Sequence, residues 1–220
     1  MCWNEHISLN TFLFVCLALI FIFVSNTYTK YKTPTFNNPL VYLLILVMAS
    51  MQLIEFFLWK NLQNKYINEI LSIIGAYIII LQQLILIVMI PNSTIRYSML
   101  VIYALFIIVF RTLYSKIFNP FYFNTSIGKN GHLSWNWMNF KVYENIWLVI
   151  GLLFYIIPLL ILNNPLLAFF YISTLFLSLF FYFKYNTFGT IWCWAFNLFL
   201  LYFIIDILLI QPYCEYNSLC

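Results

Sequence analysis

Long apolar stretches separated by short polar segments make up almost the whole chain. Seven of these stretches are nearly free of charge, and polar positions do not alternate with apolar ones inside them. A helix needs about 20 apolar residues to cross a bilayer, whereas a barrel strand needs about ten that alternate. The pattern therefore predicts seven transmembrane helices, over residues 8–25, 39–59, 67–90, 97–114, 146–162, 165–183 and 188–210.

Proline and asparagine residues support several of these boundaries. Pro165 follows Asn163 and Asn164, which predicts a tight turn before the sixth helix. Pro158 lies inside the fifth helix and predicts a kink, because proline removes one backbone hydrogen bond. Pro212 follows the last apolar stretch and predicts the end of that helix.

The composition narrows the class of protein. Of 220 residues, 65% are hydrophobic and 7% are charged, whereas soluble domains are about 45–50% apolar and about 25% charged. Such a chain cannot cover a water-facing surface with polar groups, which excludes a soluble enzyme, a nucleic-acid-binding protein and a disordered protein. We predict an all-α, polytopic membrane helix bundle that forms one domain, residues 1–220, with a long loop at 115–145.

Lysine and arginine are unevenly distributed between the two faces of the predicted bundle. Seven lie on the face that holds the N-terminus and the loops after helices two, four and six, and three lie on the opposite face. Because cytoplasmic loops carry the excess of positive charge, we predict a cytosolic N-terminus and a luminal or extracellular C-terminus. There Cys214 and Cys220 can form a disulfide, and the alternative is two unpaired cysteines.

The few polar residues inside the apolar stretches are the most informative, since an unsatisfied polar group in hydrocarbon costs several kcal/mol. Gln52 and Glu55 lie three residues apart on helix two, and Glu55 is the most deeply placed acid. A proton carrier, a cation ligand or a general acid fits that position. The alternative is an acid that reaches interfacial water or pairs with Lys60.

A second polar stripe follows the seventh helix. Thr190, Cys193, Trp194 and Asn197 have the spacing i, i+3, i+4, i+7 and therefore share one helix face. This face either lines a site inside the bundle or links helices through hydrogen bonds. Helix three presents the same alternatives with a set of small or polar residues: Ser72, Gly75, Gln82 and Gln83.

The loop between helices four and five is the only long one in the predicted topology. Gly128 and Gly131 bracket a turn signal, and the flanking residues alternate modestly, which predicts a small hairpin or a re-entrant flap. His132 and Trp135 make this loop a candidate part of a site. The alternative is an interfacial segment that its tryptophans anchor.

Helix count alone places the N-terminal tail, this loop, the Glu55 pair and the stripe of helix seven on one membrane face. We therefore predict a polar cavity that opens to the N-terminal face and that the loop caps. Its candidate ligand-binding residues are Gln52, Glu55, His132, Trp135, Thr190, Cys193, Trp194 and Asn197.

Three functions fit this prediction. The first is the binding or transport of a small solute, a proton or a lipid, the second is a non-catalytic scaffold or membrane-remodelling role, and the third is an intramembrane lipid-modifying enzyme. We assign no catalytic residue, metal or cofactor, because no nucleophile–base pair or metal-ligand set is complete in the sequence. The expected partners are the lipid bilayer and a small-molecule or lipid ligand, and no nucleic acid.

Two short motifs carry a resemblance to a known family. The chain opens with Met1-Cys2-Trp3-Asn4, and its last helix contains Trp192-Cys193-Trp194. These motifs resemble an uncharacterised family of multi-span membrane proteins from large DNA viruses and protists. The resemblance implies a similar multi-helix membrane fold, and it implies no activity and no functional residues.

Overall fold

The computed structural model describes residues 4–117, 123–138 and 145–217, and most of them are helical. Two short strands, β1 (Thr125–Ile127) and β2 (Leu133–Trp135), form a hairpin. The predicted all-α class is therefore confirmed, with this hairpin as the one sheet in the described ranges. The helices in chain order are α1 (Glu5–Tyr28), α2 (Pro39–Lys60), α3 (Lys65–Val88), α4 (Ser93–Ile117), α5 (Asn145–Ile161), α6 (Pro165–Tyr182), α7 (Phe188–Ala195), α8 (Asn197–Ile205) and α9 (Gln211–Tyr216).

The number of helices that can span a membrane differs from the predicted seven. Within the described ranges, six are long and apolar enough: α1, α2, α3, α4, α6 and the rod that α7, α8 and α9 form together. α5 is apolar but has 17 residues. At about 1.5 Å per residue such a helix is about 26 Å long, while the hydrocarbon core is about 30 Å thick. The prediction is thus confirmed as several apolar helices and not as seven spans.

Capping residues and proline mark the beginnings of several helices. The side chains of Asn4, Asn64 and Asn164 each accept a hydrogen bond from the backbone N–H three residues further on, which caps α1, α3 and α6. Pro165 occupies the first turn of α6, where proline is tolerated. Pro158 lies inside α5, as the sequence predicted.

The C-terminal rod departs from the single helix that the sequence predicted. A brief break at Phe196 separates α7 from α8. A π-helical turn, Asp206–Ile210, then leads into α9, which carries Pro212 in its first turn. The prediction that Pro212 ends the helix is therefore wrong. A π turn displaces the regular hydrogen bonds, so the rod continues past a residue that has no N–H to donate.

Packing separates a closed interior from an apolar exterior. α1 and α3 both pack on α2, and α6 packs on α7. The ring of Phe36 packs against Phe199 and Phe203 in the interior, with centroids 5.9 and 5.1 Å apart. On the outside, large apolar side chains such as Leu17 and Phe180 are exposed. Lipid covers such a surface and water does not, so the fold is that of an integral, multi-pass membrane protein.

The hairpin predicted in the long loop is confirmed. Its strands are antiparallel, with Thr125 opposite Trp135. Gly131 takes a positive φ of 79° in the turn, a conformation that glycine adopts without strain. Leu133 and Trp135 pack against Met51 of α2 in a buried cluster that also includes residues of α3 and α7. We refer to residues 123–138 as the Trp135 hairpin.

Candidate functional site

Gln52 and Glu55 form a fully buried pair on α2. Neither side chain has any solvent exposure, and the Nε2 atom of Gln52 donates a hydrogen bond of 3.1 Å to Oε2 of Glu55. The three-residue spacing places both side chains on one helix face, as the sequence predicted. The remaining oxygens, Oε1 of Gln52 and Oε1 of Glu55, have no hydrogen-bond partner among the described residues. The pair therefore presents two buried acceptors without donors.

The Trp135 hairpin reaches the bundle interior beside this pair. Trp135 and Thr190 lie near the carboxyl of Glu55, but the hydrogen bonds that their polar atoms form go to other partners. The indole N–H of Trp135 donates to Oγ1 of Thr190 at 3.1 Å, and that hydroxyl lies 3.1 Å from the carbonyl oxygen of Leu133. The structure thus brings together Gln52, Glu55, Trp135 and Thr190. Trp135 packs beside the carboxyl of Glu55, which has no solvent exposure. The cavity that the sequence predicted to open to the N-terminal face is therefore closed at Glu55.

Helix α3 holds the β1 side of the hairpin through polar contacts. The amide of Asn68 accepts from the backbone N–H of Thr125 at 2.8 Å and donates to its carbonyl at 2.9 Å. The Ser72 hydroxyl lies 2.8 Å from the Thr125 hydroxyl. One turn further, a Cβ atom at Gly75 would lie 2.6 Å from Cη2 of Trp135. Only a glycine at this position leaves room for the indole ring.

The corner between α6 and α7 holds the opposite side of the hairpin. Asn186 has a positive φ of 56°, which asparagine tolerates better than most residues. Its Nδ2 atom donates to the carbonyl of Trp135 at 2.9 Å. Asn130, in the hairpin turn, donates to Oγ1 of Thr187 at 2.8 Å. The carbonyl of Trp135 and the side chain of Asn130 are therefore both paired with side chains of this corner.

His132 lies in the hairpin turn and packs against the end of α6. Its ring contacts Tyr182 edge to face, with centroids 5.8 Å apart. Burial lowers the pKa of His132 below its usual value, so its ring is neutral at pH 7. The structure therefore places this candidate in the docking contact of the hairpin.

Cys193 is the next member of the predicted stripe to reach the site. It packs at the edge of the cluster that contains Trp135. Its neighbour in the chain, Trp192, contacts the rings of Tyr155 and Tyr171. Adjacent positions of α7 therefore contact the Trp135 cluster and a second group of buried side chains.

Trp194 and Asn197 do not belong to the group around Glu55, although the helix wheel placed them on the stripe. The side chain of Trp194 is 41% exposed at the edge of the stripe. Asn197 follows the break at Phe196, and its Nδ2 atom donates to the carbonyl of Trp194 at 2.8 Å on its own helix. The predicted stripe is therefore wider than the arc of α7 and α8 that faces the interior.

The N-terminal tail also has a local role rather than one in this group. Asn4 caps α1, and His6 is exposed. The predicted disulfide between Cys214 and Cys220 involves Cys220, which lies outside the described residues, so that pairing stays a prediction.

Gln82 and Gln83 on α3 make different use of their amides. The Gln83 amide accepts from the Tyr103 hydroxyl at 2.6 Å and donates to the Gly151 carbonyl at 2.8 Å, which links α3 to α4 and α5. Gln82 accepts from the Tyr155 hydroxyl at 3.1 Å. Its Nε2 atom has no partner within the part of the chain that the structure describes.

Several residues that build the site were missed at the level of sequence. Asn68 has the spacing i, i+4, i+7 with Ser72 and Gly75, so it lies on the same face of α3. This spacing was the sequence signal that could have identified Asn68. The roles of Asn186 and Thr187 had no such signal, because the corner between α6 and α7 is distant in sequence from the Trp135 hairpin and meets it only in the folded chain.

Comparisons with protein families, with curated proteins and with solved structures gave no match. Within the described ranges, no group of three or more histidine, cysteine or acidic side chains is placed to hold a metal ion.

Proposed function

We propose that this multi-pass membrane protein moves protons across the bilayer through Glu55, either alone or coupled to a small solute. In this proposal Gln52 and Glu55 bind the proton or the solute in the half of the bundle that is nearer the membrane face of the N-terminus. The Trp135 hairpin closes that half of the bundle, and Thr190 positions the indole of Trp135. The solute would carry N–H or O–H groups, since the binding pair offers acceptors.

One observation supports this proposal above all others. Two acceptor oxygens, Oε1 of Glu55 and Oε1 of Gln52, are buried and have no donor among the described side chains or backbone. A polar group in that position destabilises the fold unless a donor reaches it, and intramembrane acids commonly mark proton or ion pathways. A proton on the carboxyl, or a donor on a solute, supplies the missing hydrogen. An anion or an acceptor-only lipid group does not.

The test is proton flux in liposomes that contain the purified protein. Vesicles loaded with a pH-sensitive dye would receive a defined potassium potential, and the rate of internal pH change would be recorded. We expect Glu55→Gln to lower the flux by about tenfold or more, because an amide cannot exchange the proton.

The matched control is Glu69→Gln, which makes the same change at an exposed acid on α3. We expect this variant to retain the flux of the unmodified protein. Equal flux in the Glu55 variant, or equal loss in both variants, contradicts the proposed function.

We also propose seven membrane crossings, with α5 as the shortest, and a cytosolic N-terminus. The Trp135 hairpin contacts the beginning of α3 and the corner between α6 and α7, so these parts lie on one face. A membrane-spanning α6 that ends at this face begins at the opposite one. The chain between the hairpin and α6 must then cross the bilayer, and α5 is the described element available for that crossing.

Cysteine labelling tests this topology. Single cysteines introduced at Lys129 and at Asn163, both exposed, would be treated with an impermeant maleimide in sealed vesicles. We expect labelling from opposite sides, with Lys129 on the cytosolic side because of the distribution of positive charge. Labelling of both positions from one side would refute the seventh crossing.

A non-catalytic scaffold is the second candidate function, and the Gln83 contacts favour it. Both ends of that amide are used to link helices, which is what polar residues in a purely structural bundle do. If the unmodified protein moves no more protons than protein-free vesicles leak, the scaffold becomes the better explanation.

A further inference from the structure

A second group of buried polar side chains lies near the middle of the bundle. Its members come from four helices, and each is at least nine-tenths buried: Gln82 on α3, Tyr155 on α5, Tyr171 on α6 and Trp192 on α7. Three of their polar atoms have no hydrogen-bond partner in the described residues. They are Nε2 of Gln82, the hydroxyl of Tyr171 and Nε1 of Trp192.

The aromatic members of this group are packed rigidly. The Trp192 ring contacts Tyr155 and Tyr171 edge to face, with centroids 5.0 and 5.1 Å apart. Tyr155 and Tyr171 lie 5.7 Å from each other. Interlocking rings leave little rotamer freedom, so the unpaired polar atoms are held in fixed positions.

This group adjoins the cluster around Trp135 through α7. Cys193 packs against that cluster, and Trp192, its neighbour in the chain, belongs to the second group. Thr190 on the same helix accepts a hydrogen bond from the indole of Trp135 beside Glu55. Helix α7 therefore contributes side chains to both polar groups.

The neighbouring Gln83 and Tyr103 show that residues of the same types do find partners in this interior. Both are as buried as Gln82 and Tyr171, yet the Tyr103 hydroxyl donates to Gln83 at 2.6 Å and the Gln83 amide is paired at both ends. The same residue types are thus fully satisfied one position along α3. Residue type alone therefore does not explain why the polar atoms of this group are unpaired.

We propose that Gln82, Tyr171 and Trp192 bind water in the middle of the bundle, and that this water carries protons between Glu55 and the C-terminal face. An interior water makes about three hydrogen bonds to polar groups that are otherwise unsatisfied. Gln82 and Trp192 offer donors that orient the water. The Tyr171 hydroxyl both donates and accepts, so it can pass a proton on by reorienting. This inference rests on the proposed function and extends its path.

The experiment compares two variants that each remove one hydroxyl, Tyr171→Phe and Tyr103→Phe, in the same proton-flux assay. Proton flux is normalised to folded protein, and the Tm in detergent is measured in parallel. We expect Tyr171→Phe to reduce flux by about tenfold or more without lowering the Tm, because that hydroxyl has no partner to lose. Tyr103→Phe should lower the Tm, because Gln83 loses its donor, and should retain flux.

Four outcomes decide the inference. Normal flux in Tyr171→Phe, with flux still lost in Glu55→Gln, overturns the water path and leaves the proposed function intact. A parallel fall in Tm and flux in Tyr171→Phe shows a structural role and also overturns it. If Tyr171→Phe does not fold, Gln82→Met decides, since flux in that variant should fall as well and normal flux refutes the path. Normal flux in Glu55→Gln overturns both proposals.

Discussion

The Trp135 hairpin and the Glu55 pair lie side by side in the N-terminal half of the bundle, and they treat buried polar atoms in opposite ways. At the hairpin, the backbone groups of Thr125 meet the Asn68 amide, and the carbonyl of Trp135 meets Asn186. At the pair, two acceptor oxygens have no donor in the described structure. Asn68, Thr125 and Trp135 are buried, as the pair is. The two regions therefore differ in pairing, and the proposed function depends on that difference.

This comparison also separates neighbouring residues of one type. Gln83 is paired at both ends and joins three helices, whereas Gln82 keeps one unpaired amide nitrogen. The two residues are of the same type, and both are buried. Whether an intramembrane polar residue is glue or part of a site is therefore decided by its partners, and substitutions should affect the two kinds of residue differently.

The largest effect on stability is expected at the contact between Gly75 and Trp135. A Cβ atom at position 75 would lie 2.6 Å from Cη2 of the ring. Gly75→Ala should therefore destabilise the fold by about 1–3 kcal/mol through overpacking, and Trp135→Ala by about 3–5 kcal/mol through loss of a buried indole. The free energy of unfolding would be measured by denaturant titration in mixed micelles.

The combination of both changes provides the control. Once the indole is removed, alanine at position 75 has space and gains about 1 kcal/mol of helix propensity over glycine. Gly75→Ala should thus change from destabilising to neutral or stabilising in the Trp135→Ala background. Equal destabilisation in both backgrounds would show that the indole does not rest on Gly75.

Much of the architecture followed from local patterns in the sequence. Apolar length located the helices, Gly128 and Gly131 located the hairpin turn, and the spacing of Gln52 and Glu55 placed them together. Each of these features depends on residues that are close in the chain. The π turn before Pro212 was not predictable in this way, because the rule that proline ends a helix applies to regular α-helical hydrogen bonding.

The candidate site was predictable only where one helix face decides it. The helix wheel grouped Thr190 and Cys193 correctly but added Trp194 and Asn197, because periodicity gives a direction and not the width of the buried arc. The partnership of Asn68 with Thr125 spans 57 positions in the chain. A contact of that kind depends on how α3 and the hairpin meet, and no local pattern contains that information.

The smallest effect on stability is expected at Glu55 itself, and it contrasts most directly with Asn68. Asn68→Ala leaves the N–H and carbonyl of Thr125 unpaired and should destabilise the fold by about 1–3 kcal/mol. Glu55→Gln should change the free energy of unfolding by less than about 1 kcal/mol, because no donor to Oε1 is lost. The new amide can even donate to the unpaired Oε1 of Gln52, which would complete a reciprocal pair. The same titration measures both variants. A loss at Glu55→Gln as large as that at Asn68→Ala would mean that the carboxyl holds the fold, as the hairpin contacts do, and the distinction between the two regions would fail.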